Sequence, residues 1–235
     1  MYAKVWKRVL DVLLSGAALL VLSPVLLILT VVGAFVMGGN PFFTQIRPGK
    51  DEKLFRLVKF RSMTNKRDKA GKLLPDAQRL TRYGRFIRST SLDELPELWN
   101  ILKGDMSIVG PRPQLVRDMV FMTPEQRRRH SVRQGLTGLA QCNGRNAISW
   151  EKKLEYDLLY INDIHFWGDV RILLKTVVGV FRRDGIAEEE MATAEDLGDY
   201  LLRANVIDKA FYDTKQREAE ALIGEFRNRE ILTEV

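Results

Sequence analysis

Cysteine and histidine are almost missing from this chain. Cys142 is the single cysteine, and there are two histidines among 235 residues. One cysteine excludes an internal disulfide, and no group of cysteines and histidines has the spacing of a zinc site. The sequence therefore predicts a body that lies in a reducing cytoplasm and folds around one ordinary apolar core.

Charge is missing from one long segment, because no residue between Asp11 and Arg47 is acidic or basic. Within it, Val12 to Met37 consists mostly of Leu, Val, Ala and Ile. About 20 such residues suffice for one membrane helix. A secretory signal peptide would have a shorter apolar region and a small-residue cleavage site, so we interpret the segment as a permanent membrane anchor.

Ser23 and Pro24 interrupt this anchor near its middle. Proline removes one backbone hydrogen bond, so we expect a kink, and the Ser23 hydroxyl can satisfy a freed carbonyl. Basic residues flank the anchor on both sides, with Lys4, Lys7 and Arg8 before it and Arg47, Lys50, Lys53, Arg56, Lys59 and Arg61 after it. Because basic flanks prefer the cytoplasmic side, we favour a re-entrant membrane helix over residues 1–40, with a kinked spanning helix as the alternative.

Lys7, Arg8 and Asp11 lie three and four residues apart, which places them on one side of a helix where it meets the headgroups. Two interpretations fit this spacing. The three residues form a snorkelling basic collar with a salt-bridged acid, or they grip a lipid phosphate.

Net charge is distributed unevenly along the chain. From Ala187 onward acidic residues far outnumber basic ones, so residues 1–186 carry more than the whole net charge of +7. A basic body attracts the phosphates of nucleotides, nucleic acids or anionic lipids. The uncharged anchor argues against a nucleic-acid binder. A non-catalytic scaffold that binds anionic lipid remains as an alternative to an enzyme.

Hydrophobic patterning predicts a mostly helical α/β protein with a small β-hairpin. The expected strands are 42–45 and 54–60, a loop covers 65–75, and the expected helices are 78–89, 91–104, 151–160, 167–183 and an acidic helical region around 199–226. The chain then divides into the membrane helix at 1–40, a catalytic body at 41–186 and an acidic helical extension at 187–235. The extension is expected to pack on the body or to mediate oligomers.

The segment from Ser91 to Asn100 carries the clearest helix signal. Ser91 with Glu94 three residues later forms the pattern of a capping box, and Gly104 ends the helix. Asp93 and Glu94 are then first-turn acids that the helix dipole favours, and the pattern alone assigns them no chemistry.

Three turns further on each carry an arginine that suits phosphate recognition. They are Gly110 to Pro113 with Arg112, Arg133 to Gly138 with Arg133, and Asn143 to Asn146 with Arg145.

Together these segments resemble, in order, the small monotopic phosphoglycosyl transferases of the bacterial sugar-transferase family. The matching segments are Lys7-Arg8 with Asp11, Ser23-Pro24, Thr44 to Gly49, Lys59 to Met63, Ser91 to Pro96, Gly104 to Ser107, Gly110 to Pro113 and Gly135 to Gln141. One departure is Gln134, which stands where many relatives have proline and is expected to loosen its loop.

The resemblance implies a body resting on the cytoplasmic face of the bacterial inner membrane. Asp93 would attack the β-phosphorus of a UDP-sugar, release UMP and pass the sugar phosphate to undecaprenyl phosphate. An aspartate with its ordinary pKa of about 3.9 needs no base for this attack. Glu94, with Asp93 nearby, would hold Mg²⁺.

The same resemblance assigns ligands to the remaining basic residues. Lys59, Arg88, Arg112 and Arg145 are the candidates for binding substrate phosphates, and Lys7, Arg8 and Asp11 those for the polyprenol phosphate or headgroup. Phospholipids are expected partners, nucleic acid is not, and a homodimer is left open. Residues 143–151 resemble those of enzymes that take an N-acetylated amino sugar.

Overall fold

The N-terminal segment consists of two helices joined at a sharp bend. The computed structural model describes residues 1–144, 148–182 and 195–233. After one π-helical turn, Tyr2–Trp6, α1 covers Lys7–Val21 and α2 covers Ser23–Met37. The two helical segments are bent by 63°. Among the described residues no single helix is long and apolar enough to cross a bilayer, whereas this bent pair passes the same criterion jointly.

Ser23 and Pro24 account for the bend. Pro24 cannot donate a hydrogen bond to the carbonyl of Leu20, four residues before it. Ser23 Oγ donates to that carbonyl instead, at 2.8 Å. The predicted kink and the predicted role of the Ser23 hydroxyl are both confirmed.

The polar residues of α1 face the body of the protein. Asp11 is 3% exposed, and its Oδ1 accepts hydrogen bonds from Ser107 Oγ at 3.1 Å and from the Ile108 amide at 2.9 Å. Lys7 Nζ lies 2.6 Å from Asp169. The expectation of a collar in which Asp11 pairs with the neighbouring bases is wrong, because the body supplies closer partners.

A β-hairpin follows the bent helix pair, as predicted. β1, Phe42–Pro48, pairs antiparallel with β2, Leu54–Phe60, so that Phe42 is opposite Phe60. Alternation along β2 places Phe55, Leu57 and Lys59 on one face. Phe55 and Leu57 pack in one core cluster with Leu98 and Ile101. Lys59 therefore extends from a fixed apolar face.

The helix predicted over 78–89 is two helices, α3, Asp76–Arg79, and α4, Arg82–Ser89. Leu80 between them is extended, and the Thr81 hydroxyl caps α4 by accepting from the Gly84 amide at 2.8 Å. A Cβ on Gly84 would lie 1.9 Å from the carbonyl oxygen of Ser62. Only glycine permits this close contact of α4 with the residues after β2.

The predicted capping box at Ser91 is wrong. Ser91 adopts a left-handed conformation with φ 55° and makes no capping hydrogen bond. A 3₁₀ turn, Leu92–Glu94, follows it, and α5 covers Glu97–Lys103. The predicted end at Gly104 is confirmed, with φ 101°. α5 starts later than expected. Asp93 and Glu94 therefore lie before this helix and do not belong to its first turn.

The centre of the body holds a pair of parallel strands that the sequence did not predict. β3, Met106–Val109, pairs with β4, Gln134–Thr137. Between them lie α6, Val116–Met119, and α7, Pro124–Arg127, and after β4 lie α8, Leu139–Cys142, α9, Trp150–Asn162, and α10, Phe166–Arg182. Gln134 is buried, and its Nε2 donates to the carbonyls of Arg129 and Val132. The expectation that Gln134 loosens this loop is wrong.

The acidic extension is helical, as predicted, and it packs on the body, which is one of the two roles expected for it. α11 covers Leu197–Arg203 and α12 covers Lys209–Thr233. Leu197 and Ala219 are buried in one apolar cluster with residues of β1, α6 and α9. The boundary predicted near residue 186 lies outside the described residues.

Removing the Asp11 carboxylate should destabilise the protein. Asp11→Ala leaves the Ile108 amide and the Ser107 hydroxyl buried without an acceptor, which costs roughly 2 kcal/mol. Asp11→Asn retains one acceptor oxygen and should cost less. Thermal unfolding in one detergent measures both, with Asp163→Ala as the control because that side chain is 81% exposed. Equal melting temperatures for Asp11→Ala and the control would contradict this role of Asp11.

Candidate active site

An open cavity lies where β2, the turn before α5 and the turn after β3 meet. The cavity, as lined by the described residues, has a volume of about 1610 Å³. Many charged side chains line it, and six of them come together where these elements meet: Asp93, Glu94, Glu97, Lys59, Arg88 and Arg112. Five of these six were predicted as site residues from the sequence.

Glu94 lies at the centre of the charged cluster. Its Oε1 accepts from Lys59 Nζ at 2.7 Å and from Arg112 Nη2 at 2.7 Å. Burial alone would raise the pKa of Glu94, but the charges of Arg112 and Lys59 outweigh burial and hold that pKa well below its usual range. Glu94 is therefore a permanent carboxylate whose position two cations fix.

Asp93 is adjacent in the chain but differs in its electrostatics. Burial, followed by the negative charge of Glu94, raises the pKa of Asp93 to about 6, while Lys59 and Arg88 oppose the rise. The pKa of Asp93 is therefore higher than the ordinary aspartate value of about 3.9 expected from the sequence. The carboxylate form still predominates at neutral pH, and it is poorly solvated.

Glu97 is a third carboxylate that sequence reasoning missed. It is 2% exposed, and its Oε1 lies 3.0 Å from Lys59 Nζ. Burial raises the pKa of Glu97 to about 7, although Lys59 opposes the rise. The signal that could have found it is its place after Pro96, at the first position of α5 and three residues beyond Glu94.

The backbone around Arg112 is held by two arginines that were not predicted as site residues. Arg129 is fully buried and pairs with Asp157 at 2.7 Å, and its Nη2 donates to the Arg112 carbonyl at 2.5 Å. Arg47 Nη1 donates to the next carbonyl, that of Pro113, at 3.1 Å. These contacts fix the direction from which Arg112 reaches Glu94.

Arg88 enters the site from α4, where its Nε donates to Ser62 Oγ at 2.9 Å. Two other arginines of α4, Arg82 and Arg85, are exposed. Arg145 lies outside the described residues.

Lys7, Arg8 and Asp11 lie outside this cluster. The Arg8 guanidinium donates to the carbonyls of Ile101 and Leu102 at 2.6 and 2.9 Å, near the C-terminal end of α5. Glu94 precedes the N-terminal end of that helix, one helix length away. The structure therefore shows these three residues docking α1 to the body, and their contact with a lipid phosphate stays a prediction.

The donor set fits a magnesium ion only together with a substrate. Within the described ranges no group of three or more acidic, histidine or cysteine side chains is arranged to hold a metal ion. Mg²⁺ is commonly bound through one or two carboxylates plus substrate phosphates. Asp93 and Glu94 supply such a pair, beside cations that suit the phosphates.

Comparisons with known proteins identify the family of the chain. The family model described as bacterial sugar transferase matches residues 2–183. An uncharacterized sugar transferase of Bacillus subtilis, EpsL, is 49% identical over 190 residues, which cover 80% of this chain and 94% of that protein. A UDP-glucose:undecaprenyl-phosphate glucose-1-phosphate transferase of Klebsiella pneumoniae is 41% identical over 183 residues, which cover 74% of this chain and 39% of that protein.

A third relative also matches most of the chain. The exopolysaccharide production protein ExoY of Rhizobium meliloti is 34% identical over 191 residues, which cover 74% of this chain and 84% of that protein. The family model ends at residue 183, so α11 and α12 lie beyond it. With the larger part of its length matched by the model and by close relatives, the chain belongs to the bacterial sugar transferase family.

Proposed function

We propose that this protein transfers a sugar 1-phosphate from a UDP-sugar to undecaprenyl phosphate and releases UMP. One observation carries the proposal: two adjacent carboxylates differ in their environments. Glu94 accepts hydrogen bonds from Lys59 and Arg112, whereas within the described part of the chain Asp93 has no such pair of donors. Relatives named as transferases of this kind support it.

In the first half of the reaction, an Asp93 carboxylate oxygen attacks the β-phosphorus of the UDP-sugar. The bond from that phosphorus to the bridging oxygen breaks, and UMP leaves with the electron pair. Burial of Asp93 favours this attack, because a poorly solvated carboxylate loses little hydration in reacting. Lys59, Arg88 and Arg112 lie beside the carboxylates and balance the charge of the diphosphate.

In the second half, a phosphate oxygen of undecaprenyl phosphate attacks the phosphorus held on Asp93. The bond to Asp93 breaks and the carboxylate is restored, so the two half-reactions form a ping-pong cycle without net uptake of protons. Glu94 stays ionised throughout and keeps Lys59 and Arg112 in place.

Asp93 and Glu94 would hold Mg²⁺ together with the donor phosphates. When bound there, the ion would neutralise the diphosphate and stabilise UMP as the leaving group. Lys59 and Arg112, both paired with Glu94, lie in the same region and could contact the donor phosphates.

The bent pair α1 and α2 would enter and leave the membrane at the cytoplasmic face of the inner membrane. Basic residues on both flanks and the break at Ser23-Pro24 support this re-entrant course. The exposed aliphatic side chains along both helices suit a lipid environment.

The donor is proposed to be a UDP-linked N-acetylated amino sugar. The support is the sequence 143–151 alone, three residues of which lie outside the described ranges. A screen of UDP-sugars for UMP release tests the reaction and the donor together.

Asp93→Asn should abolish UMP release and leave membrane binding intact. The amide cannot act as the nucleophile, and a loss of at least a thousandfold is expected, on the order of losses from other nucleophile removals. Its melting temperature at pH 8 should equal or exceed that of the wild type, because the ionised, buried Asp93 destabilises the fold above its raised pKa. Asp163→Asn is the matched control.

Turnover that persists in Asp93→Asn would remove Asp93 from the mechanism. A wild-type protein that releases no UMP with any donor, yet binds anionic vesicles, would favour the lipid-binding scaffold instead.

The first half-reaction should slow as the pH falls through about 6. Asp93 must be ionised to attack, and its pKa lies near that value, so the rate should fall about tenfold for each pH unit below it. The UMP burst in single-turnover experiments without undecaprenyl phosphate measures this step and avoids titration of the acceptor. A rate that is constant from pH 7 to pH 5 would contradict the assignment.

The membrane course predicts labelling from one side. In a Cys142→Ser background, cysteines placed at Lys4 and at Lys50, both exposed, should react with an impermeant reagent from the same face of sealed vesicles. Opposite faces would show a spanning helix. Pro24→Ala should shift part of the population to opposite faces, because it restores a backbone donor at the bend.

A further inference from the structure

The C-terminal extension lies beyond the family match, and the proposed reaction assigns it no part. Its helices bury Leu197 and Ala219 against Val116, Met119 and Val120, which belong to α6 and its end. The extension therefore packs directly behind the segment that leads from Arg112 into α6.

Two polar contacts join the extension to that segment. Asp118 is 2% exposed, and its carboxylate accepts from the Leu197 amide on one oxygen and from the Leu115 amide on the other, both at 2.9 Å. Asp196 Oδ2 lies 2.6 Å from Arg117 Nη2. Arg117 and Asp118 are neighbours in α6. Arg117 thus holds Asp196, which precedes α11, and Asp118 holds Leu197, the first residue of α11.

The segment from Arg112 to Asp118 is held from both ends. Arg129 and Arg47 fix the carbonyls of Arg112 and Pro113, as described above. At the other end the ion pair of Asp196 with Arg117 and the two bonds of Asp118 fix the start of α6. Arg117 and Asp196 also line the same cavity as Arg112.

We propose that Asp196 is a positioning residue for donor binding, which acts through Arg117 to hold the segment that presents Arg112 to the donor diphosphate. The extension is then part of the donor-binding apparatus of this chain. This inference rests on the proposed function, and it adds a residue outside the matched family region.

Steady-state kinetics of the full-length protein test the proposal. Asp196→Asn removes the charge that holds Arg117 but keeps a side chain of the same size. KM for the UDP-sugar should rise about tenfold, while kcat changes less than twofold. A tenfold change corresponds to the coupling commonly measured between residues of one ion-pair network. Asp196→Glu should restore part of the affinity. Asp199→Asn is the matched control, because Asp199 lies three residues further on in the first turn of α11, is exposed and accepts from Tyr212 instead.

A double-mutant cycle separates positioning from simple stabilisation. If Asp196 acts through the segment that presents Arg112, Asp196→Asn should raise KM much less in an Arg112→Ala background than in the wild type. Equal effects in the two backgrounds, or a lowered melting temperature with unchanged KM, would overturn the proposal and leave the extension as a stabilising cap.

Affinity for UDP with Mg²⁺, measured by calorimetry, distinguishes failure of this inference from failure of the proposed function. If the wild type binds UDP but releases no UMP, the proposed reaction fails, and weaker UDP binding by Asp196→Asn than by Asp199→Asn would still support the positioning role. Equal UDP affinities in the two variants would overturn it. If the wild type neither binds UDP nor releases UMP, both ideas fall.

Discussion

A single carboxylate oxygen of Glu94 accepts hydrogen bonds from the ammonium of Lys59 and the guanidinium of Arg112. These two contacts organise the candidate active site. Lys59 comes from a hairpin strand, Glu94 from a 3₁₀ turn and Arg112 from the turn after a central strand. Because an unpaired buried charge is costly, each of these elements is constrained by the other two. In this arrangement Glu94 is the carboxylate that pairs with both cations, whereas its neighbour Asp93 is buried and poorly solvated.

The short helix α5 links this site to the membrane segment. Acidic residues lie before and at its N-terminal end, where the helix dipole favours negative charge. At its other end the carbonyls of Ile101 and Leu102 accept from Arg8, and Arg133 donates to the Gly104 carbonyl at 2.8 Å. The left-handed Gly104 leaves room for the Arg8 guanidinium, which would lie 3.2 Å from a Cβ at that position. Both ends of α5 are thus stabilised electrostatically.

The sequence predicted features that depend on local chemistry. The hairpin, the break at Ser23-Pro24 and the end of α5 at Gly104 follow from strand patterning, a missing donor and a residue that tolerates positive φ. Asp93 and Glu94 were named only through resemblance, since their local pattern equally suited a helix cap. The structure decides against the cap, because distant cations compete for the Glu94 side chain and Ser91 adopts a left-handed conformation.

Features that depend on distant partners escaped prediction. β3 and β4 are separated by two helices in the chain, and a parallel pair has no turn between its strands to mark it. Glu97 and Arg129 looked like ordinary surface charges in the sequence, and their burial depends on partners far along the chain. The pKa of Asp93 likewise depends on burial that spacing cannot show.

Asp11 has a consequence for how the protein is assembled. Its carboxylate completes the hydrogen bonding of β3, whose residues are synthesised long after α1. The polar face of α1 therefore has no partner until residues 101 to 108 have been synthesised. The final docking of α1 is thus coupled to folding of the body. An exchange of the first 40 residues for an unrelated helical segment would remove part of the interior, so these residues are not a transferable module.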